Sequence, residues 1–150
     1  MWWRSDPPPN GRWQHGSVVA GFYLAESRET AWAEWWRQLG ELGLRAEHQL
    51  PRDLWRLRVD VDRGADLSDG SRLAAVGLLA PRPMRREWPV FQLVGERLHA
   101  DGWGGILAPS AARPEGRILC LFREEETIDG VKPLPPPATY RNPPAERAGL

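Results

Sequence analysis

The apolar positions of the chain fall into alternating strand-like and helix-like stretches. Val18 to Ala25, with Phe22, Tyr23 and Leu24, reads as a short, largely buried strand. Ser27 then stands where a helix N-cap belongs, with Glu29 in the first turn to complement the helix dipole. The spacing predicts a helix from Arg28 to about Leu42, closed by a left-handed Gly43. Ala31, Trp35, Leu39 and Leu42 share its apolar face; Thr30, Glu34, Arg37, Gln38 and Glu41 share the polar one. From Leu54 to Val61 the pattern switches to strict alternation. Leu57, Val59 and Val61 face one way and Arg56, Arg58 and Asp60 the other, which predicts a half-buried strand.

Ala65 to Gly70 reads as a turn, and Ser71 to Leu79 as a short helix or an extended apolar segment ended by Pro81 and Pro83. A second long helix is expected from Trp88 to Ala100, with Pro89 in its first turn and a stripe of Phe91, Val94 and Leu98. Two more strands follow, one around Ile106-Leu107 and one from Arg117 to Phe122. After the acidic run Glu124-Glu125-Glu126 the chain becomes proline-rich, so residues 126–150 read as a tail following a unit of residues 1–125. The order of elements implies a single α+β domain with a twisted sheet and flanking helices.

Composition narrows the chemistry. The chain has 150 residues, and its 20 basic and 20 acidic side chains balance to a net charge of zero. A dedicated nucleic-acid binder draws its affinity from an excess of basic residues, so direct nucleic-acid binding is not expected. No apolar run approaches the roughly 20 residues of a membrane helix, and no secretory leader is evident, which points to the cytoplasm. A lone cysteine, Cys120, excludes an internal disulfide, and the spacing of His15, His48 and His99 offers no metal site. No nucleophile elbow, dinucleotide glycine motif or Walker loop is present. Nineteen of the twenty basic residues are arginine, and there are nine tryptophans, some of them expected to be partly exposed as at a partner surface.

One constellation has chemical content. Arg12, in Gly11-Arg12-Trp13, precedes the first strand; Tyr23 lies in that strand; Glu34 lies on the helix that follows. A helix packed back on its own strand can bring all three to one cleft. Arginine pairs with phosphates, a tyrosine ring stacks on a flat heterocycle, and a carboxylate stabilises positive charge on a ribose as its base departs. On spacing alone the ordinary readings come first: Glu34 as a solvated residue paired with Arg37 or Gln38, and Tyr23 as a core or interface residue; Arg12 could be a surface arginine.

The run Gly11-Arg12-Trp13, Gly16 and Phe22-Tyr23-Leu24-Ala25-Glu26-Ser27-x-x-Thr30-Ala31-x-Ala33-Glu34 resembles the RES domain, and so does Gly105-Ile106-Leu107-Ala108-Pro109-Ser110-Ala111-Ala112-Arg113 further on. The resemblance spans roughly residues 2 to 125. It implies an ADP-ribosyltransferase-like fold, with a mixed or antiparallel sheet, and an NAD+-consuming toxin that hydrolyses or phosphorolyses the nicotinamide–ribose bond. NAD+ would be the substrate and inorganic phosphate a co-substrate, without a metal. The partner it implies is a helical DNA-binding antitoxin; the oligomeric state is left open. By position, Arg12 would bind the phosphate region, Tyr23 would pack near the nicotinamide and Glu34 would act at the ribose. Arg4 would be the family's first arginine and bind the dinucleotide with Arg12 and Tyr23, and Ser110 would be its serine, catalytic together with Glu34 and Tyr23. The chain departs from the family at Gln14-His15, where Asn-Pro is usual, and at Pro89, where some members carry serine. The stretch between Arg4 and Arg12 is also short. Two other readings stay open: transfer of ADP-ribose to a macromolecule, and a degenerate domain that only binds a partner.

Overall fold

The computed structural model describes residues 6–144. Its elements run β1 (Ala20–Ala25), α1 (Arg28–Leu42), β2 (Arg52–Val59), β3 (Gly64–Asp66), α2 (Gly70–Ala75), α3 (Trp88–Ala100), β4 (Gly105–Pro109), β5 (Arg117–Arg123) and β6 (Val131–Tyr140). Short 3-10 turns occupy Ala46–Gln49 and Arg85–Glu87. A four-stranded mixed sheet has the order β1-β5-β4-β3, antiparallel except for the β3–β4 pair; β2 and β6 form a separate antiparallel pair. The architecture is α+β.

Local chemistry sets the ends of α1. The Ser27 side chain accepts the Thr30 N–H at 3.1 Å, and Gly43 adopts φ 64°, where a side chain would be strained. The first helix thus begins and ends where its caps predict. α3 likewise spans Trp88–Ala100, with proline in its first turn.

Two apolar clusters form the interior. In the first, Ile106, Ala108, Ile118, Cys120 and Phe122 of the sheet pack with Leu73 of α2, Phe91 of α3 and Trp13 of the N-terminal loop. In the second, Trp32, Trp35 and Leu39 of α1 pack with Ala46, Leu54 of β2 and Tyr140 of β6. Trp32 meets Trp35 and Tyr140 edge-on, at 5.2 and 4.7 Å between centroids. Truncating one such buried tryptophan to alanine costs about 3–5 kcal/mol. Among the described tryptophans, Trp13, Trp32 and Trp35 are buried, Trp36, Trp88 and Trp103 are half-buried, and only Trp55 is exposed.

Four expectations need correction. Residues 131–140, read as part of a tail, form β6 and pair with β2 from Val131↔Val59 to Tyr140↔Arg52. Proline is tolerated there because both strands of a two-stranded sheet are edges, and the Pro135-Pro136-Pro137 run coincides with the register shift opposite Leu54 and Arg56. The segment from Ala65, read as a turn, contributes β3, which pairs in parallel with β4. Thr30, assigned to the polar face of α1, is fully buried, whereas Leu42, assigned to the apolar face, is half exposed. Finally, β1 starts at Ala20 and is only partly covered, since Tyr23 is 41% exposed.

Candidate active site

The site begins with the irregular loop ahead of β1. Gly11 and Gln14 close a tight turn, with the Gly11 N–H donating to the Gln14 carbonyl at 3.0 Å. Helix α3 holds this turn from outside. Gln92 Nε2 donates to the Gly11 carbonyl at 2.9 Å, and Glu96 Oε1 accepts the His15 N–H at 2.7 Å and faces His15 Nδ1 at 2.5 Å. Trp13, fully buried, meets Phe91 edge-on at 5.2 Å and anchors the loop in the sheet core.

Arg12, beside that anchor, is 9% exposed. Its Nη2 donates to the Arg82 carbonyl at 2.6 Å, and its guanidinium lies 5.1 Å from the Phe91 ring centroid. Its buried Nη1 has no hydrogen-bond partner among the described residues. Burial, and then the neighbouring Arg37, lowers the Arg12 pKa, against the pull of Glu34, Glu87 and Glu41. A buried guanidinium with an unused donor suits an anionic ligand group.

Glu34 projects from the middle of α1. Its Oε1 accepts the Ser110 hydroxyl at 2.6 Å and lies 3.5 Å from the Ala112 N–H; its Oε2 accepts Arg37 Nε at 2.7 Å. Ser110, fully buried at the end of β4, is itself held because its Oγ accepts the N–H groups of Ala112 and Arg113 at 3.2 and 3.0 Å. Arg37 continues along the helix to Glu41 Oε1, and Glu41 Oε2 faces Arg85 Nε at 3.4 Å. For Arg37, burial lowers the pKa, but the carboxylates of Glu34 and Glu41 outweigh it and the net shift is upward. Glu34 is thus fixed at both oxygens, from its own helix and from the sheet.

Tyr23 supplies an aromatic wall. Its hydroxyl donates to Gln14 Oε1 at 2.7 Å and accepts the Trp13 N–H at 3.1 Å. Burial of the hydroxyl, followed by the neighbouring Cys120, pushes the phenol well above its ordinary pKa, so it stays a donor near neutrality.

These side chains line one cleft of about 650 Å³, between the two apolar clusters. Arg12, Tyr23 and Glu34 are joined there by Trp32, Trp35, Arg37, Arg52, Arg85 and Trp88. Of the residues expected from sequence, the structure brings Arg12, Tyr23 and Glu34 to the cleft and sets Ser110 behind Glu34, bonded to it. Arg4 lies outside the described residues. The pairing of Glu34 with Arg37, an alternative to a site role on spacing alone, is present together with the convergence.

The family profile of the RES domain matches residues 2–141. The chain belongs to the RES domain family. The fold of this RES domain is similar to a chain in the crystal structure of the M. tuberculosis MbcT-MbcA toxin-antitoxin complex. The TM-score is 0.70 and the identity 23%, over 87% of this chain and 71% of that one. No curated protein matches the sequence. The RES match runs through β6, beyond residue 125, where the sequence resemblance was taken to end.

Sequence reasoning missed several residues of this RES domain's cleft. Arg37 and Glu41 were visible as a shared helix face with Glu34, and their spacing of three and four residues was the signal. Arg52, Arg85 and Trp88 carried no local signal, because only the tertiary fold brings them to α1. No group of three or more His, Cys, Asp or Glu side chains that could hold a metal ion occurs among the described residues. No helix among them is long and apolar enough to cross a membrane.

Proposed function

We propose that this RES domain is an NAD+-consuming toxin that cleaves the bond between nicotinamide and ribose, by hydrolysis or phosphorolysis, and is neutralised by a helical DNA-binding antitoxin. The observation that carries the reading is the convergence of Arg12, Tyr23 and a doubly tethered Glu34 on a single cleft. Family membership supports the chemistry, and the solved neighbour's description as a toxin-antitoxin complex supports the partner.

The residues present fit NAD+ as substrate. The unused Nη1 of Arg12 offers a charge-assisted hydrogen bond to the pyrophosphate. The exposed part of the Tyr23 ring offers a surface to a flat base. The nicotinamide leaves with the electron pair of the glycosidic bond and becomes neutral, while positive charge passes to the ribose. A fixed carboxylate beside that ribose stabilises the charge as it develops, without reorganising. Water or phosphate then adds at the ribose carbon and releases a proton. Because Glu34 is already oriented by Ser110 and Arg37, its stabilisation costs no ordering at the moment of reaction.

The test incubates the purified chain with NAD+, with and without phosphate, beside Glu34→Gln, following nicotinamide and the ribose product. Release by the wild type that falls about a hundredfold or more in the variant supports the reading. Its dependence on phosphate separates phosphorolysis from hydrolysis. A folded wild type that releases no nicotinamide overturns it and leaves the partner-binding reading; label on a macromolecule identifies a transferase. For the partner, rescue of growth on co-expression with a neighbouring helical protein is expected.

A further inference from the structure

Gln14 does not line the cleft, yet it is 1% exposed and its amide is used at both ends. Oε1 accepts the Tyr23 hydroxyl at 2.7 Å, and Nε2 donates to the Pro9 carbonyl at 3.0 Å. Its backbone carbonyl also closes the turn that carries Arg12. Two glycines leave room for the amide–phenol contact. A Cβ at Gly11 would lie 2.2 Å from the Tyr23 hydroxyl and 2.3 Å from Gln14 Oε1; one at Gly21 would lie 2.8 Å from both Gln14 Oε1 and Tyr23 Cε2. Four residues on two segments are thus shaped around one hydrogen bond. Its visible consequence is the setting of a ring whose remaining surface faces the cleft.

We infer that Gln14 is a positioning residue for ligand recognition, fixing the Tyr23 ring and the Arg12-bearing turn in one relative geometry so that the flat base and the phosphates of a dinucleotide are met together. This deepens the proposed function and rests on it. Gln14 touches no reacting atom. Its contribution belongs to ground-state binding and transition-state binding alike, so its loss raises KM and leaves kcat near its starting value. A residue that served only the stability of the loop would lower the unfolding temperature and leave KM unmoved.

The experiment uses the full chain and NAD+. Gln14→Met keeps the length and removes both amide bonds; Tyr23→Phe removes the same phenol bond from the other side and keeps the ring. Each is expected to raise KM about tenfold, the scale of one buried hydrogen bond, with kcat within about threefold of wild type. Because both cut the shared contact, while each also loses one bond of its own (Gln14 to Pro9, Trp13 to Tyr23), the double variant is expected to fall short of the product of the two single effects. An unchanged KM in either folded variant overturns the positioning role, as does a double variant whose effects add. If Gln14→Met fails to fold, Tyr23→Phe decides alone. A wild type that neither binds nor turns over NAD+ is a different failure, seen before any variant is made. It overturns the proposed function, and with it the dinucleotide that Gln14 would serve.

Discussion

Ser110 and Glu34 are 76 positions apart in the chain and joined by a 2.6 Å hydrogen bond from hydroxyl to carboxylate. The bond links the end of β4 to the middle of α1 across the sheet. Ser110 has no other route to the cleft, so its effect on chemistry passes through the orientation of Glu34. Ser110→Ala is expected to lower kcat for nicotinamide release about tenfold or more while KM changes little, because a misaligned carboxylate fails the transition state and not the bound substrate. It also leaves the N–H groups of Ala112 and Arg113 without their acceptor, at a cost of about 1–3 kcal/mol. Steady-state kinetics beside denaturant unfolding separates the two. A variant with lowered stability and full kcat would leave Ser110 a loop residue only.

The other oxygen of Glu34 leads to Arg37, which is shared with Glu41. Arg37→Gln is expected to lower kcat, since Glu34 loses a tether, and to reduce stability by about 1–3 kcal/mol because charge-assisted bonds at partly buried carboxylates are lost. Arg12→Lys is expected to behave differently. It keeps the charge and loses the fork that holds the Arg82 carbonyl while leaving Nη1 free, so KM for NAD+ should rise about tenfold and kcat should follow less. A kinetic split in the opposite sense, kcat loss at Arg12 and KM loss at Arg37, would reverse the two assignments.

The ends of α1 and α3 were legible because caps and first-turn prolines act within a few residues. Spacing alone left Arg12, Tyr23 and Glu34 open to ordinary surface and core readings; the resemblance to the RES domain singled them out, and the direct succession of loop, strand and helix is what brings them to one cleft. The buried face of α1 was misjudged at Thr30 and Leu42, because sequence periodicity records polarity and not which neighbour covers a position. β6 was hidden by its prolines, which argue against a strand everywhere except at an edge or a register shift. Gln14 stood out in the sequence as a departure from the family pattern; its hydrogen bond to Tyr23 needed three-dimensional proximity to be seen.

Two helical glycines give a paired prediction about packing. A Cβ at Gly95 of α3 would lie 2.0 Å from the Trp13 carbonyl oxygen, a backbone atom that cannot swing aside. Gly95→Ala is therefore expected to push α3 off the loop that carries Arg12, costing several kcal/mol, on the order of 3, and most of the activity. At Gly40 of α1 a Cβ meets nothing within 4 Å. Gly40→Ala should stabilise by up to about 1 kcal/mol through helix propensity and a less flexible unfolded chain. Urea midpoints on the two variants check both. A tolerated alanine at Gly95 would mean that α3 is not seated directly on Trp13.

Stability at alkaline pH follows from a buried thiol and from a phenol whose hydroxyl is turned inward. Burial pushes the Cys120 thiol from 9.0 up to about 12, and it raises the Tyr23 phenol as well. Both groups are neutral in the folded state at pH values where the unfolded chain already ionises them. The unfolded chain then binds fewer protons, so stability must fall as pH rises. The contribution of Cys120 is complete below pH 9 and is lost progressively as pH approaches about 12, at up to about 1.4 kcal/mol per pH unit while only the unfolded thiol is ionised. Cys120→Ala should be less stable than wild type at pH 8, because a filled core position is emptied, yet its stability should decline less steeply between pH 9 and 11. Guanidinium unfolding midpoints across that range measure the slopes. Parallel slopes in wild type and variant would mean that the thiol ionises as easily in the folded state as in the unfolded one, contrary to its complete burial beside its strand partner Tyr23.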